Sequence, residues 1–117
     1  MDITHLHLHV RDRTRSEAFY ARWLGLVYAF GGEGITFMRG ERGFLLALMD
    51  DRAAAPMPEW FHFGARVESI ARLRALQGEM ESAGVPIVKP LHEGPTVASF
   101  RCTDPDGFVI EMYASPQ

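Results

Sequence analysis

Three residues of this chain have the types and the placement to hold a divalent metal ion. His5 opens the segment His5-Leu6-His7-Leu8-His9-Val10, and His62 opens His62-Phe63-Gly64-Ala65-Arg66-Val67. Glu111 follows the turn Asp104-Pro105-Asp106-Gly107, within Phe108-Val109-Ile110-Glu111-Met112. Two neutral imidazoles and one carboxylate make a facial ligand set that leaves positions open for water or substrate. The set does not choose decisively among Fe²⁺, Mn²⁺, Ni²⁺, Co²⁺ and Zn²⁺. Such a metal would act as a Lewis acid on adjacent substrate oxygens or, as iron, would bind dioxygen. A Glu111 carboxylate facing a closed cleft needs a partner, because an unpaired buried charge is costly, and a metal supplies one.

Other groups around this set could handle protons or substrate. His7 and His9 share the strand face of His5. They line the pocket rim or satisfy a hydrogen bond; alternatively His7 contacts a metal ligand, transfers a proton, because an unperturbed imidazole titrates near neutrality, or, with the register shifted by two, is itself a ligand. Tyr113, two residues after Glu111, is a pocket wall or an acid–base group. Arg66 has the strand parity of His62, and Arg101 and Lys89 are two further cations. With His9, these form the expected substrate-binding set. Guanidinium forks suit carboxylate and phosphate, so the expected substrate is a small anion. Cys102 alternates away from Arg101 and reads as a buried small residue, not a nucleophile. His92 and Glu93, beside Gly94-Pro95, read as a loop that could close over the cleft.

These residues need elements to hold them. The alternation in residues 3–10 has the period of a strand, with Leu6, Leu8 and Val10 facing a helix and the histidines facing something polar. A helix is expected over 14–24, where Thr14 and Glu17 have capping-box spacing and Gly25 ends the run. Phe19, Tyr20, Trp23 and Leu24 form its apolar stripe. Strands follow near 26–30, 34–39 and 43–49, with Gly31-Gly32 and Gly40 to Gly43 as turns. Residues 51–58 read as a linker, because Pro56 and Pro58 argue against a continuing helix. The pattern then restarts with a strand over 60–67 and a helix from Ser69 to near Gly84. Ile70, Leu73, Leu76 and Met80 lie on one face of that helix. Strands over 86–89, 96–102 and 107–113 follow, the last two joined by a tight Asp-Pro-Asp-Gly turn. A shift of 57 residues places His5 on His62 and Val10 on Val67, an internal repeat of fold units. The expected fold is therefore α+β. Residues 1–117 form one domain of two βαβββ modules, 1–50 and 59–117. They build a cupped, mostly antiparallel sheet with helices outside and a cleft inside. Phe37, Phe44, Trp60 and Phe61 are expected in the core or at a subunit contact.

The composition sets outer bounds. With 117 residues, 47% hydrophobic and 23% charged, the chain has the balance of one globular domain. A net charge of -3 and the lack of a basic run argue against a nucleic-acid surface. No apolar stretch approaches the roughly 18 residues of a membrane span. No secretory signal is visible, and a single cysteine excludes an intramolecular disulfide framework. The expected location is the cytoplasm.

Together the segments resemble the vicinal oxygen chelate superfamily, also called the glyoxalase, bleomycin-resistance and extradiol-dioxygenase superfamily. The resemblance rests on His5 through Asp12, Ser16-Glu17-Ala18-Phe19-Tyr20, Leu24-Gly25-Leu26, His62 through Val67 and Asp104 through Glu111. It implies the glyoxalase-like fold, with paired modules cupping a metal held by His5, His62 and Glu111. It also implies a homodimer, in which modules pair within or across chains. Glyoxalase I enzymes use a further carboxylate where this chain has Ala47. Extradiol dioxygenases have a tyrosine where this chain has Arg101. Fosfomycin-modifying transferases have a lysine that resembles Lys89, but a threonine where this chain has His7. The leading expectation is a metalloenzyme of the lyase, isomerase, transferase or dioxygenase type. The alternative is a metal-free protein that sequesters a small molecule, as bleomycin-resistance proteins do.

Overall fold

The computed structural model describes residues 1–116. The chain divides after Ala55 into two compact units, each a complete βαβββ module. In the first, β1 (His5–Val10) is followed by α1 (Arg13–Leu24), β2 (Val27–Gly32), β3 (Ile35–Arg39) and β4 (Leu45–Asp50). In the second, β5 (His62–Arg66) is followed by α2 (Ile70–Ser82), β6 (Ile87–Glu93), β7 (Ala98–Thr103) and β8 (Val109–Ala114). The sheets run β1-β4-β3-β2 and β5-β8-β7-β6. In each sheet the first pair is parallel and the other two are antiparallel.

Alternation along the strands decides which face each helix covers. In module 1, Leu8, Val10, Met38, Leu46 and Leu48 are buried on the face against which α1 packs. Tyr20 and Ser16 of the helix are fully buried there. In module 2, Phe100, Cys102, Ile110 and Met112 are buried, and α2 contributes Leu73, Leu76 and Met80. Burying each of these large side chains stabilises the fold by about 1.5–3 kcal/mol.

The caps differ in part from expectation. α1 starts at Arg13 because Asp12 is the N-cap, accepting the Arg15 N–H at 3.3 Å. The expected Thr14–Glu17 box therefore lies inside the helix. Asp50, at the end of β4, also accepts the Arg13 N–H at 2.9 Å. Gly25 ends α1 in the left-handed region at φ 67, and Ser69 caps α2 through the Arg72 N–H at 3.1 Å.

Gly31 and Gly32 belong to β2, not to a turn, and the reversal falls at Gly34, with φ 74. The larger difference is β6, which runs four residues past the expected Lys89 to Glu93. Pro90 stands just past the expected end. β6 is an edge strand, however, where a missing N–H is tolerated. Gln77 Oε1 accepts the Leu91 N–H at 2.8 Å, and Arg74 grips Glu93 at 3.1 and 2.6 Å. His92 and Glu93 are thus strand residues tied to β7 and α2, not a loop over a cleft.

Candidate functional site

Residues that pair across strands share a face, so register determines which side chains meet. The Asp104–Gly107 turn sets the register of β7 against β8. Asp104 Oδ1 accepts the N–H groups of Asp106 and Phe108, both at 2.9 Å, and Gly107 adopts φ 90. The resulting hairpin places Arg101 opposite Glu111, Ser99 opposite Tyr113 and Thr103 opposite Val109. The parallel strand β5 adds His62 beside Val109, Gly64 beside Glu111 and Arg66 beside Tyr113. On the far side Lys89 pairs with Arg101. The face of this sheet away from α2 therefore carries Lys89, Arg101, Glu111, Tyr113, Arg66 and His62. Gly64 leaves room there, since a Cβ on it would lie 3.4 Å from the Tyr113 ring.

Glu111 Oε2 accepts from both Nε and Nη2 of Arg101 at 3.3 Å. The two side chains are 27% and 28% exposed. His62 Nδ1 lies 3.1 Å from the Trp60 carbonyl. A carbonyl only accepts, so Nδ1 carries the proton. His62 Nε2 is then directed at Glu111 Oε2, 3.8 Å away. Lys89 and Arg66 form no ion pair among the described residues.

The corresponding face of module 1 is built differently. His5, His7 and His9 lie along β1 beside Leu45, Ala47 and Met49 of β4. Phe37 pairs with Ala47 and Phe30 with Phe37, and the two rings stack with centroids 4.5 Å apart. The rows are equivalent in topology. His7–Ala47–Phe37–Phe30 crosses sheet 1 as Gly64–Glu111–Arg101–Lys89 crosses sheet 2. A one-residue bulge precedes both Phe30 and Lys89. His5 Nδ1 lies 3.3 Å from Thr4 Oγ1, and the His7 and His9 rings are 5.2 Å apart. His9 Nδ1 is 2.9 Å from Asp51 Oδ2. That contact holds the Asp51 carboxyl below its ordinary range, helped by the Ala53 N–H.

The expected metal centre is overturned. Among the described residues, no three His, Cys, Asp or Glu side chains are grouped so as to hold a metal ion. Each of His5, His62 and Glu111 has a suitable side chain, yet they do not make a ligand group. The Glu111 carboxylate already has a permanent cation, the Arg101 guanidinium directly across the ladder. The partner that a metal was expected to supply is thus a side chain. The Fe²⁺, Mn²⁺, Ni²⁺, Co²⁺ or Zn²⁺ cofactor, and the metal-dependent enzyme built on it, go with that correction.

Sequence reasoning treated Arg101 and Glu111 as separate contributors, although the tight turn between them implied that they face each other. It also missed Asp51 as the partner of His9, because residues 51–58 have the composition of a linker. The signal was present in the parallel β1–β4 pair, whose ends bring Asp51 beside Val10 through a 2.8 Å backbone bond. Cys102 is buried as expected, and burial pushes its thiol up to about 12.

Two four-stranded mixed sheets, each backed by a helix and related by an internal repeat, define a protein of paired βαβββ modules. The sequence matches the Glyoxalase/Bleomycin resistance protein/Dioxygenase superfamily over residues 2–112, and the chain belongs to that family. Among solved structures it is similar to a possible glyoxalase from Bacillus cereus. The TM-score is 0.82 at 29% identity, covering 96% of this chain and 97% of that one. The genomically encoded fosfomycin resistance protein of Listeria monocytogenes has a TM-score of 0.82 at 17% identity, covering 99% of this chain and 94% of that one. A glyoxylase/bleomycin resistance protein/dioxygenase domain from Frankia sp. has a TM-score of 0.81 at 22% identity, covering 99% and 98%. At these last two identities the likeness is one of fold alone. No curated protein sequence matches the chain. Among the described residues, no helix is long and apolar enough to cross a membrane.

Proposed function

We propose that this protein is a metal-free small-molecule-binding protein that sequesters its ligand, in the manner of the bleomycin-resistance branch of its family. The ligand is a small organic anion. The observation that carries this reading is the Lys89–Arg101–Glu111 row. A guanidinium in it spends two of its five donors on one carboxylate oxygen, beside two cations, Lys89 and Arg66, that no acid among the described residues neutralises. Such a face has spare fork-shaped donors for carboxylate or phosphate. Tyr113 would contribute its ring as a wall and its hydroxyl as a hydrogen-bonding group, and His62 a second polar edge. His7 and His9 would serve as polar contacts on the module 1 face.

Modules 1–50 and 59–117 with their 51–58 linker act, in this reading, as one binding domain. The family supports a homodimer, and exposed Val27 and Tyr28 on the edge strand β2 are compatible with it. Sedimentation equilibrium tests that part. The free Cys102 fits the reduced cytoplasm.

The experiment is equilibrium binding of a panel of small carboxylates and phosphates with a chelator present, followed by recovery of the ligand. Chelator-insensitive binding, recovery of unchanged ligand and roughly tenfold or greater weakening in Arg101→Ala are expected, since a charged hydrogen bond is worth about 1.5–3 kcal/mol. Binding that requires added metal, or that survives Arg101→Ala intact, would overturn the reading.

A further inference from the structure

The His9–Asp51 contact joins the end of β1 to the residue just after β4, within module 1. Four bonds fix Asp51. Its carbonyl accepts the Ala54 N–H at 3.0 Å. Its N–H donates to the Val10 carbonyl at 2.8 Å, its Oδ1 accepts the Ala53 N–H at 2.9 Å, and its Oδ2 meets His9 Nδ1 at 2.9 Å. The carboxyl is held ionised, below its ordinary range, chiefly by the hydrogen bond with His9. An ionised carboxylate only accepts, so the His9 proton must sit on Nδ1. In the neutral ring Nε2 is then bare, and the side chain is 52% exposed. Among the described residues, the ring contact of His9 is with His7, at 5.2 Å. Across the ladder its row continues through Met49 and Ile35, which carry no charge. A carboxylate that fixes the tautomer of an accessible histidine is the arrangement by which proteins present imidazole as a proton acceptor.

We propose that Asp51 and His9 form a proton-accepting dyad on the face of module 1. His9 Nε2 takes the proton of a weakly acidic hydroxyl, such as a phenol or enol, so that the small molecule is held as its conjugate base. The O–H bond of the ligand breaks, its electron pair stays on oxygen, and the new N–H bond forms at Nε2. The imidazolium is stabilised by Asp51 at Nδ1, and no oxidant, reductant or metal takes part. The proposal rests on the reading of the chain as a small-molecule binder and assigns the ligand a second chemical feature, an ionisable hydroxyl.

The test uses the intact protein and p-nitrophenol below the phenol's own pKa, where the free probe is colourless and its phenolate is yellow. Phenolate absorption is expected to grow as protein is added. Asp51→Asn preserves shape, since the amide oxygen can keep the Ala53 bond. Its NH₂ group then faces Nδ1, which forces the ring proton onto Nε2. The phenolate signal should fall about tenfold in apparent affinity in that variant and in His9→Gln, the worth of one charged hydrogen bond. Heteronuclear NMR of the ring nitrogens should show the His9 tautomer invert in Asp51→Asn, a change that a merely structural role would not produce. A bare Nδ1 in the wild type, no phenolate colour, or colour unchanged in both variants overturns the dyad. If colour is lost only in Arg101→Ala, the cations of module 2 hold the phenolate, which overturns the dyad and leaves the anion-binding reading standing. If carboxylates bind normally to Arg101→Ala while the dyad variants behave as expected, it is the anion-binding reading that fails.

Discussion

Replacing Glu111 by glutamine separates two opposite readings of the same residue. As a metal ligand, Glu111 would be essential, and any change would weaken ligand binding. As the counter-ion of Arg101, it competes with an incoming anion for the guanidinium and repels that anion. A ligand carboxylate seated on the free side of Arg101 would lie about 5 Å from Glu111. Two like charges at that distance repel by roughly 0.8 kcal/mol at the dielectric of water and roughly 3 kcal/mol at an effective value near 20. Glu111 is 27% exposed, so the repulsion relieved by Glu111→Gln is about 1–2 kcal/mol, between those limits. The new amide oxygen still accepts from Arg101, but more weakly than a charged one. Looser holding of the guanidinium costs about 0.5–1 kcal/mol on binding. The net gain of about 0.5–1 kcal/mol makes affinity for acetate or inorganic phosphate tighter by about 2- to 5-fold, with a smaller gain at high salt as screening removes the repulsion. Isothermal titration calorimetry at two ionic strengths reads both effects. Weakening comparable to that in Arg101→Ala would refute the reasoning, most directly if it came with loss of a co-purified metal.

Two other outcomes follow from the buried thiol and the Asp104 turn. Cys102 is fully buried, and its thiol is pushed up to about 12. The reactive thiolate is therefore scarce at neutral pH and forms only as pH approaches that value, so a thiol reagent should label the native protein negligibly and label it fully after unfolding. Asp104→Ala strands the Asp106 and Phe108 N–H groups and should cost about 2–4 kcal/mol, seen by calorimetry as a Tm lower by about 10 °C. Asp104→Asn, which keeps an acceptor oxygen, should recover most of that loss.

Much of the architecture was legible because local chemistry and periodicity agreed. The His/Leu alternation of β1, the Gly25 stop and the Asp-Pro-Asp-Gly hairpin each carry their own physical cause, and each is found in place. The end of β6 was not legible. Pro90 and Gly94-Pro95 signal a break, while the contacts that carry the strand past Pro90 come from Gln77 and Arg74 on α2, far away in sequence. The metal reading failed for a related reason. Residue type and family position identify His5, His62 and Glu111 as possible ligands, but they do not say what each side chain already touches. In Glu111's case the answer was ten residues upstream, on the other arm of a hairpin whose turn had been read correctly.

The equivalent rows of the two sheets have an evolutionary consequence. Each row crosses its sheet at the same height, with a bulge before its last member, yet one row is aromatic and the other ionic. The repeated unit thus keeps a common frame while the residues at its equivalent positions differ. Phe30, Phe37 and Ala47 are accordingly the places where the charge pattern of Lys89, Arg101 and Glu111 could be transplanted. Such exchanges could then be made one module at a time, with the other still folding as before.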